Sequence, residues 1–188
     1  MARDNRDNDA QLLDYPAEWR TFELLEDDLL NEQLQQFARG DDANREHYRW
    51  VAFQQLLQRP LTDSLVAHYV QLAALDPDRT LARSALVKLI DHPALTDAQL
   101  HQLATLGDDP LLATRLGRAR LLRRLRPAVV ALALLQECAA SGIADVHLAL
   151  LRRADLDRSL LRQLQQSGAN RAIRNHAAER LRSHDKGK

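Results

Sequence analysis

The chain has 188 residues and a formal net charge of zero, with 26 Lys and Arg against 26 Asp and Glu. This length suits one domain or a short array of repeats and is sufficient to bury a core. Apolar runs stay below the roughly 20 residues of a spanning helix, so no membrane segment is predicted. Cys138 is the only cysteine, which excludes an intrachain disulfide and a thiolate metal cluster.

The zero net charge hides a division along the chain. Residues 1–110 contain 20 acidic and 10 basic side chains, whereas residues 111–188 contain 6 acidic and 16 basic ones. All eight aromatic residues lie at or before Tyr69. We therefore expect an acidic half rich in aromatic residues, followed by a basic half without them.

Helical signals follow one another along the chain, and strand signals are nearly absent. Polar residues 1–14 are predicted to form a flexible tail, residues 15–183 a single helical repeat domain, and residues 184–188 a C-terminal tail. The polar N-terminus lacks a targeting pattern, which favours a cytoplasmic location. The apolar spacing predicts helices at about 17–28, 30–39, 44–58, 62–75, 79–91, 96–106, 111–126, 128–140, 145–153, 157–166 and 171–183.

A repeat of 34 residues relates the stretches 59–78 and 92–110. Thr96 is predicted to cap its helix and to form a capping box with Gln99, and Thr62 or Asp63 to cap the earlier copy. Each unit then reads as a helical hairpin whose second helix is ended by a proline. The prolines in this position are Pro60, Pro93 and Pro127.

The leucine spacing, the helix-final proline and an arginine early in the second helix, Arg83 or Arg118, resemble HEAT-like helical repeats. This resemblance implies an all-α fold, a solenoid of about five hairpins. Residues 155–181 resemble leucine-rich variant repeats more weakly. Those proteins can carry an iron–sulfur cluster, but the cysteines for it are missing here, and no cofactor is predicted.

Arginine is concentrated in the segment 115–126, and further arginines follow it. One interpretation is an anion-binding strip for nucleic-acid phosphates or for an acidic protein. The alternative is a solvated face whose arginines cover leucines and pair with neighbouring acids. The basic half has no aromatic side chains for base stacking, which weakens the nucleic-acid interpretation. The candidate binding residues are Arg115, Arg118, Arg120, Arg123, Arg124, Arg152 and Arg153.

Aromatic residues near the N-terminus provide a second candidate surface. Trp19 and Phe22 lie three positions apart and are expected on one helix face, and Trp50 follows on a later helix. A terminal cap that closes the helical stack is the favoured interpretation. The alternative is a hot spot for a protein partner, with Trp19, Phe22 and Trp50 as its anchors.

These patterns favour a non-enzymatic protein-binding or adaptor module. Nucleic-acid association through the arginine-rich C-terminal repeats is the first alternative, and self-association of an acidic half with a basic half is the second. No catalytic, metal-binding or phosphate-binding motif occurs in the sequence. A catalytic site assembled from scattered residues stays open at this level.

Overall fold

The computed structural model describes residues 9–186, with side chains through residue 183, and every regular element in that range is helical. The chain forms two compact units, Met1–Asp108 and Asp109–Lys188, where the sequence predicts a single domain. The first, here called the acidic unit, carries 19 acidic and 10 basic residues, and the second, the basic unit, carries 7 and 16. The change of charge therefore coincides with the boundary between the units.

Helices of the acidic unit alternate with short turns. Beyond Asp14 they are α1 Glu18–Thr21, α2 Asp27–Arg39, α3 Arg45–Leu56, α4 Asp63–Leu75, α5 Arg79–Ile90 and α6 Asp97–Gln102, followed by a 3-10 helix Leu103–Asp108. Helix α5 packs against both α3 and α4. The predicted hairpin α4–α5 is therefore present.

Capping hydrogen bonds confirm the predicted starts of the two repeated helices. The Thr62 hydroxyl accepts from the Leu65 N–H at 3.1 Å, and Thr96 and Gln99 form the predicted capping box. Helices α3 and α5, and α7 in the basic unit, each end within four residues before the predicted proline. Local signals thus set these helix boundaries.

The segment around Glu23 differs from the continuous helix predicted there. Glu23 has a left-handed backbone with φ of 56°, and α2 begins only at Asp27. The Trp19 carbonyl accepts from the Leu25 N–H at 3.2 Å and closes the turn. This reversal buries Trp19 and Leu25 together, so tertiary burial overrides the helical spacing.

Four aromatic rings form the centre of the acidic unit. Ring centroids are separated by 5.4 Å between Tyr15 and Trp19, 4.9 Å between Trp19 and Phe53, and 5.0 Å between Phe53 and Tyr69. Edge-to-face contacts of this kind stabilise a core beyond the burial of area alone. The Trp19 ring therefore belongs to the core of this unit.

A buried ion pair joins α3 to the residue that follows α4. Arg49 donates through Nε and Nη2 to the Asp76 carboxylate at 3.0 and 3.3 Å, and the two side chains are 3% and 0% exposed. Its Nη1 donates to the Leu13 carbonyl at 3.1 Å. Leu13 and Ala10 are buried, so this part of the predicted tail packs into the core. Residues 1–8 of that tail lie outside the described residues.

The basic unit contains two hairpins that follow a first helix. Its helices are α7 Pro110–Arg124, α8 Leu132–Ala140, α9 Ala144–Leu151, α10 Arg158–Ser167 and α11 Arg171–Lys186. Within the hairpins, α8 packs on α9 and α10 on α11. Contacts also join successive hairpins. Helix α7 contacts α9, and α9 contacts α11, the second helix of the next hairpin. The first helices of the two hairpins, α8 and α10, contact each other as well.

The connection between α7 and α8 is longer than predicted. The sequence predicts a helix from residue 128, but α8 begins at Leu132 and residues 126–131 are not helical. Pro127 cannot continue the backbone ladder of α7. The carbonyls of this segment are instead bound by a distant arginine, described below.

Removing the arginine of the buried ion pair is expected to destabilise the acidic unit. Arg49→Ala leaves the Asp76 carboxylate buried and unpaired, and such a loss costs about 3–5 kcal/mol. Trp19 and Trp50, the two tryptophans of the chain, both lie in this unit. Urea unfolding followed by tryptophan fluorescence therefore measures the free energy of unfolding of this unit.

Arg45→Ala is the matched control for this measurement. Arg45 pairs with Asp14 at 3.1 Å, and both side chains are 46% exposed. Exposed pairs contribute about 0–1 kcal/mol, so the control is expected to unfold nearly as the parent does. Equal losses in the two variants would contradict the structural role assigned to the buried pair.

Candidate functional site

The predicted arginine strip is used largely inside the basic unit. Arg118 donates through Nε and Nη2 to Asp145 Oδ2 at 2.9 and 2.6 Å, and Arg124 Nη1 lies 2.9 Å from Glu137 Oε2. Arg152, at the C-terminal end of α9, is exposed. The remaining candidates on α7 are half-buried: Arg115, Arg120 and Arg123.

Arg153 binds the connection between α7 and α8. Its Nη1 donates to the carbonyls of Leu125 and Pro127, both at 2.8 Å, and its Nη2 donates to that of Ala128 at 2.7 Å. The guanidinium also forms two hydrogen bonds to the Asp155 carboxylate, at 2.8 and 2.6 Å. These bonds hold the pKa of Asp155 below its usual range. Arg153 thus fastens the connection at three backbone positions.

The fastened connection exposes apolar side chains. We call residues 127–132, PAVVAL in the sequence, the apolar connection. Val129 is 87% exposed and Leu132 is 54% exposed, while Val130 between them packs against the core. Exposed apolar side chains that form a contiguous surface patch are a feature of protein-binding sites.

A polar cleft of about 730 Å³ lies between α10 and α11. Three guanidinium groups face a single carboxylate in it, so the cleft is positively charged and suited to an anion. Arg162 and Arg182 in this cleft are exposed. Its lining residues are Arg158, Arg162, Gln165, Asn175, Ala178, Glu179, Leu181 and Arg182.

The turn between α10 and α11 is held by a buried histidine. His147 Nδ1 accepts from the Ala169 N–H at 3.1 Å, which places the proton of the neutral ring on Nε2. Burial lowers the pKa of His147. At Gly168 a Cβ atom would lie 2.5 Å from the Leu164 carbonyl oxygen and 2.7 Å from Ile173 Cγ2, so the turn needs glycine there.

The three aromatic candidates occupy different environments. Trp19 is fully buried and so is not accessible to a partner. Phe22 stacks on His68, with centroids 4.1 Å apart and planes at 9°. Trp50 is half-buried and lines a surface groove together with Glu46. Of the three, Trp50 is the one placed in a groove.

The Cys138 thiol is buried in the hydrophobic core of the basic unit. Burial raises the pKa of the Cys138 thiol to about 11, so this cysteine is a packing residue. Within residues 9–186, no group of three His, Cys, Asp or Glu side chains is placed to hold a metal ion. Helices in the same range are too short or too polar to span a lipid bilayer.

Sequence reasoning missed the apolar connection and part of the cleft. Val129 and Leu132 were assigned to a helix, because their spacing is compatible with a buried face. Arg158 and Arg162 belong to the further arginines of the anion-binding interpretation, whereas Arg182 was not among the candidate residues. Arg182 joins them through the packing of α11 on α10.

No protein-family model, curated protein or solved structure matches this chain. The HEAT-like resemblance therefore stays a prediction. The function must be argued from the geometry of the two units.

Acid is expected to loosen the hairpin α10–α11. Folding lowers the pKa of His147. The contribution of the neutral imidazole to the free energy of unfolding is therefore complete above the pKa of histidine in the unfolded chain, about 6.5. This contribution decreases as the pH falls below that pKa. Protonation also puts a proton on Nδ1, where the Ala169 N–H now donates. Hydrogen exchange of residues 144–183, followed by mass spectrometry between pH 7 and pH 5, measures this opening.

His147→Asn is the control variant for the acid effect. The Asn oxygen can replace Nδ1 as the acceptor, but the amide does not titrate. At each pH the exchange rates of parent and variant are compared, which cancels the intrinsic pH dependence of exchange. A constant ratio across the pH range would show that His147 does not cause the loosening.

Proposed function

We propose that this chain is a non-enzymatic protein-binding module built on a helical-repeat scaffold, and that the apolar connection is its principal contact. The observation that carries this proposal is the exposure of Val129 and Leu132 on a segment whose first two carbonyls, those of Pro127 and Ala128, are bound by Arg153. A partner that covers the two side chains would remove their apolar surface from water.

The energetics favour recognition by such a segment. Full burial of a Val or Leu side chain contributes about 1.5–3 kcal/mol. If the segment were flexible, part of this binding free energy would be offset by the entropic cost of ordering it. A segment that is ordered before binding avoids most of that cost. The hydrogen bonds of Arg153 provide the preorganisation here. Val129 and Leu132 therefore combine exposure with a defined position.

The scaffold in this proposal is a short HEAT-like solenoid. In the basic unit, second helices α7, α9 and α11 contact one another in succession, and first helices α8 and α10 do the same. Stacking of successive hairpins in this manner is the packing that repeat proteins use. Such stacks present extended surfaces for partner proteins without catalytic groups.

Replacing the two exposed side chains by serine is expected to remove partner binding. Affinity capture from a lysate of the source cells is compared between the parent chain and the double variant Val129→Ser/Leu132→Ser. Proteins retained by the parent and lost by the variant are then purified, and their affinity is measured directly. Loss of two apolar contacts should weaken binding by about tenfold or more, which corresponds to 1.4 kcal/mol or more.

Leu111→Ser is the matched control, because Leu111 is another exposed leucine of the basic unit, 43% exposed. Exposed substitutions change stability by no more than about 0.5 kcal/mol, so all variants should fold. A purified partner that binds the double variant as tightly as the parent would refute the proposed contact. Equal weakening by Leu111→Ser would show that the contact is not specific.

Nucleic-acid association is the second candidate function. The observation in its favour is the α10–α11 cleft, in which Arg162 and Arg182 are exposed beside Arg158. Guanidinium groups bind phosphates in this way without reading the bases. The ion pairs of Arg118 and Arg124 count against a longer phosphate-binding strip.

Gel-shift binding to duplex DNA and duplex RNA at two salt concentrations tests this second function. If the cleft binds phosphates, the affinity of the parent chain for the duplex should fall steeply as the salt concentration rises. The variant Arg162→Glu/Arg182→Glu should lose this binding. Arg171→Glu changes an exposed arginine of α11 outside the cleft and should bind as the parent does. Equal loss in both variants, or no shift by the parent, would reject the cleft as a phosphate-binding site.

A further inference from the structure

We propose that a groove beside Trp50 in the acidic unit receives an arginine or lysine side chain of a partner protein. The groove lies between α3 and the start of α5 and has a volume of about 320 Å³. Its lining brings the Trp50 indole together with the carboxylates of Glu46 and Asp78 and the imidazole of His47, and none of its seven lining residues is Lys or Arg. This inference goes beyond the proposed function, because it assigns a contact of different chemistry to the other unit.

The two walls of the groove are connected by a buried ion pair and by partly buried hydrogen bonds. Arg49, the neighbour of Trp50 on α3, forms the buried ion pair with Asp76. Asp76 Oδ1 in turn accepts from the Asp78 N–H at 2.9 Å. Asp78 Oδ1 accepts from the backbone N–H of Leu81 at 3.0 Å and caps α5. The position of the Asp78 carboxylate relative to Trp50 is therefore preorganised.

The chemistry of this lining selects a cation with an apolar stem. An indole face attracts a guanidinium or ammonium group, with about 0.5–2 kcal/mol depending on desolvation. The carboxylates of Glu46 and Asp78 add opposite charge, and Leu81 adds an apolar wall. Arginine and lysine carry hydrocarbon stems that pack on such walls while their charged heads pair.

A partner protein is a better occupant than a small cation. A metal ion would need a group of at least three ligating side chains, which the described residues do not provide. The excess of acidic over basic residues in this unit, 19 against 10, attracts a basic partner surface from a distance. Trp50 would then act as the buried anchor of that contact.

Fluorescence anisotropy with a labelled peptide tests the proposal on the full chain. The probe is fluorescein-Gly-Ser-Arg-Leu-Arg-Ser-Gly, and the comparison peptide has glutamine in place of both arginines. We expect the arginine peptide to bind about tenfold or more tightly than the glutamine peptide. Trp50→Ala should weaken arginine-peptide binding by about tenfold, while Trp50→Phe retains part of it.

Charge-neutralising variants separate the groove from general attraction. Glu46→Gln/Asp78→Asn removes both carboxylates, and Asn still caps a helix. Asp28→Asn/Glu32→Gln makes the same change of net charge on α2, away from the groove. The first double variant should lose about tenfold in affinity, and the control should stay within about twofold of the parent.

Acrylamide quenching gives a readout that needs no substitution. Trp19 is fully buried and Trp50 is half-buried, so the quencher reports mainly on Trp50. The arginine peptide should protect this fluorescence and the glutamine peptide should not. Protection by neither peptide would overturn the proposal, as would equal weakening by the α2 control variant.

Light scattering of the purified chain tests whether a second copy of the chain, rather than a different protein, occupies the groove. A salt-sensitive dimer that is lost in Glu46→Gln/Asp78→Asn would assign the groove to a basic side chain of a second copy and overturn the separate partner. A parent chain that stays monomeric while binding the arginine peptide supports it. None of these results bears on Val129 and Leu132, which lie in the basic unit.

Discussion

Arginine side chains that donate to backbone carbonyls connect segments far apart in the sequence, in addition to the burial of apolar side chains. Each helix leaves its last carbonyls without partners in its own backbone. Arg153 binds carbonyls at the end of α7, and Arg180 binds those of Leu151 and Arg153 after α9. In the acidic unit, Arg59 donates to the Leu24 carbonyl in the turn between α1 and α2. A guanidinium carries five N–H donors, so one side chain can satisfy several carbonyls and a carboxylate together.

This use of arginine changes the meaning of the basic composition. A run of arginines in a sequence suggests a surface for anions, but a guanidinium that binds carbonyls inside the fold is not available to a ligand. Arg153 is one example, since its side chain is only 10% exposed despite its charge. Candidate binding surfaces are therefore of two kinds: those that the arginine hydrogen bonds do not involve, and those that these bonds hold in place. The apolar connection is of the second kind, because Arg153 binds its first two carbonyls.

Sequence reasoning succeeded where structure is determined within a few residues. Thr62, Thr96 and the prolines act on backbone groups next to them, so the capping box and the repeated hairpin starts could be predicted. The α7–α8 connection could not, because the Arg153 bond to Leu125 spans 28 positions. Trp50 was recognised as a candidate, but its groove also requires Asp78, which reaches it only through tertiary packing. Periodicity records which face of a helix is apolar, not what will cover that face.

The two proposed contacts differ in chemistry, which has consequences for how a partner would bind. The apolar connection contributes through burial, which salt hardly weakens, whereas the Trp50 groove combines stacking with charge attraction, which salt screens in part. One partner that carried both complementary features would bind with an effective concentration set by the chain between them. Two separate partners gain no such advantage, so each contact must then be sufficient alone. Both proposed contacts would lose little free energy to ordering on binding, because the Pro127 and Ala128 carbonyls and the Asp78 carboxylate already form hydrogen bonds within the chain.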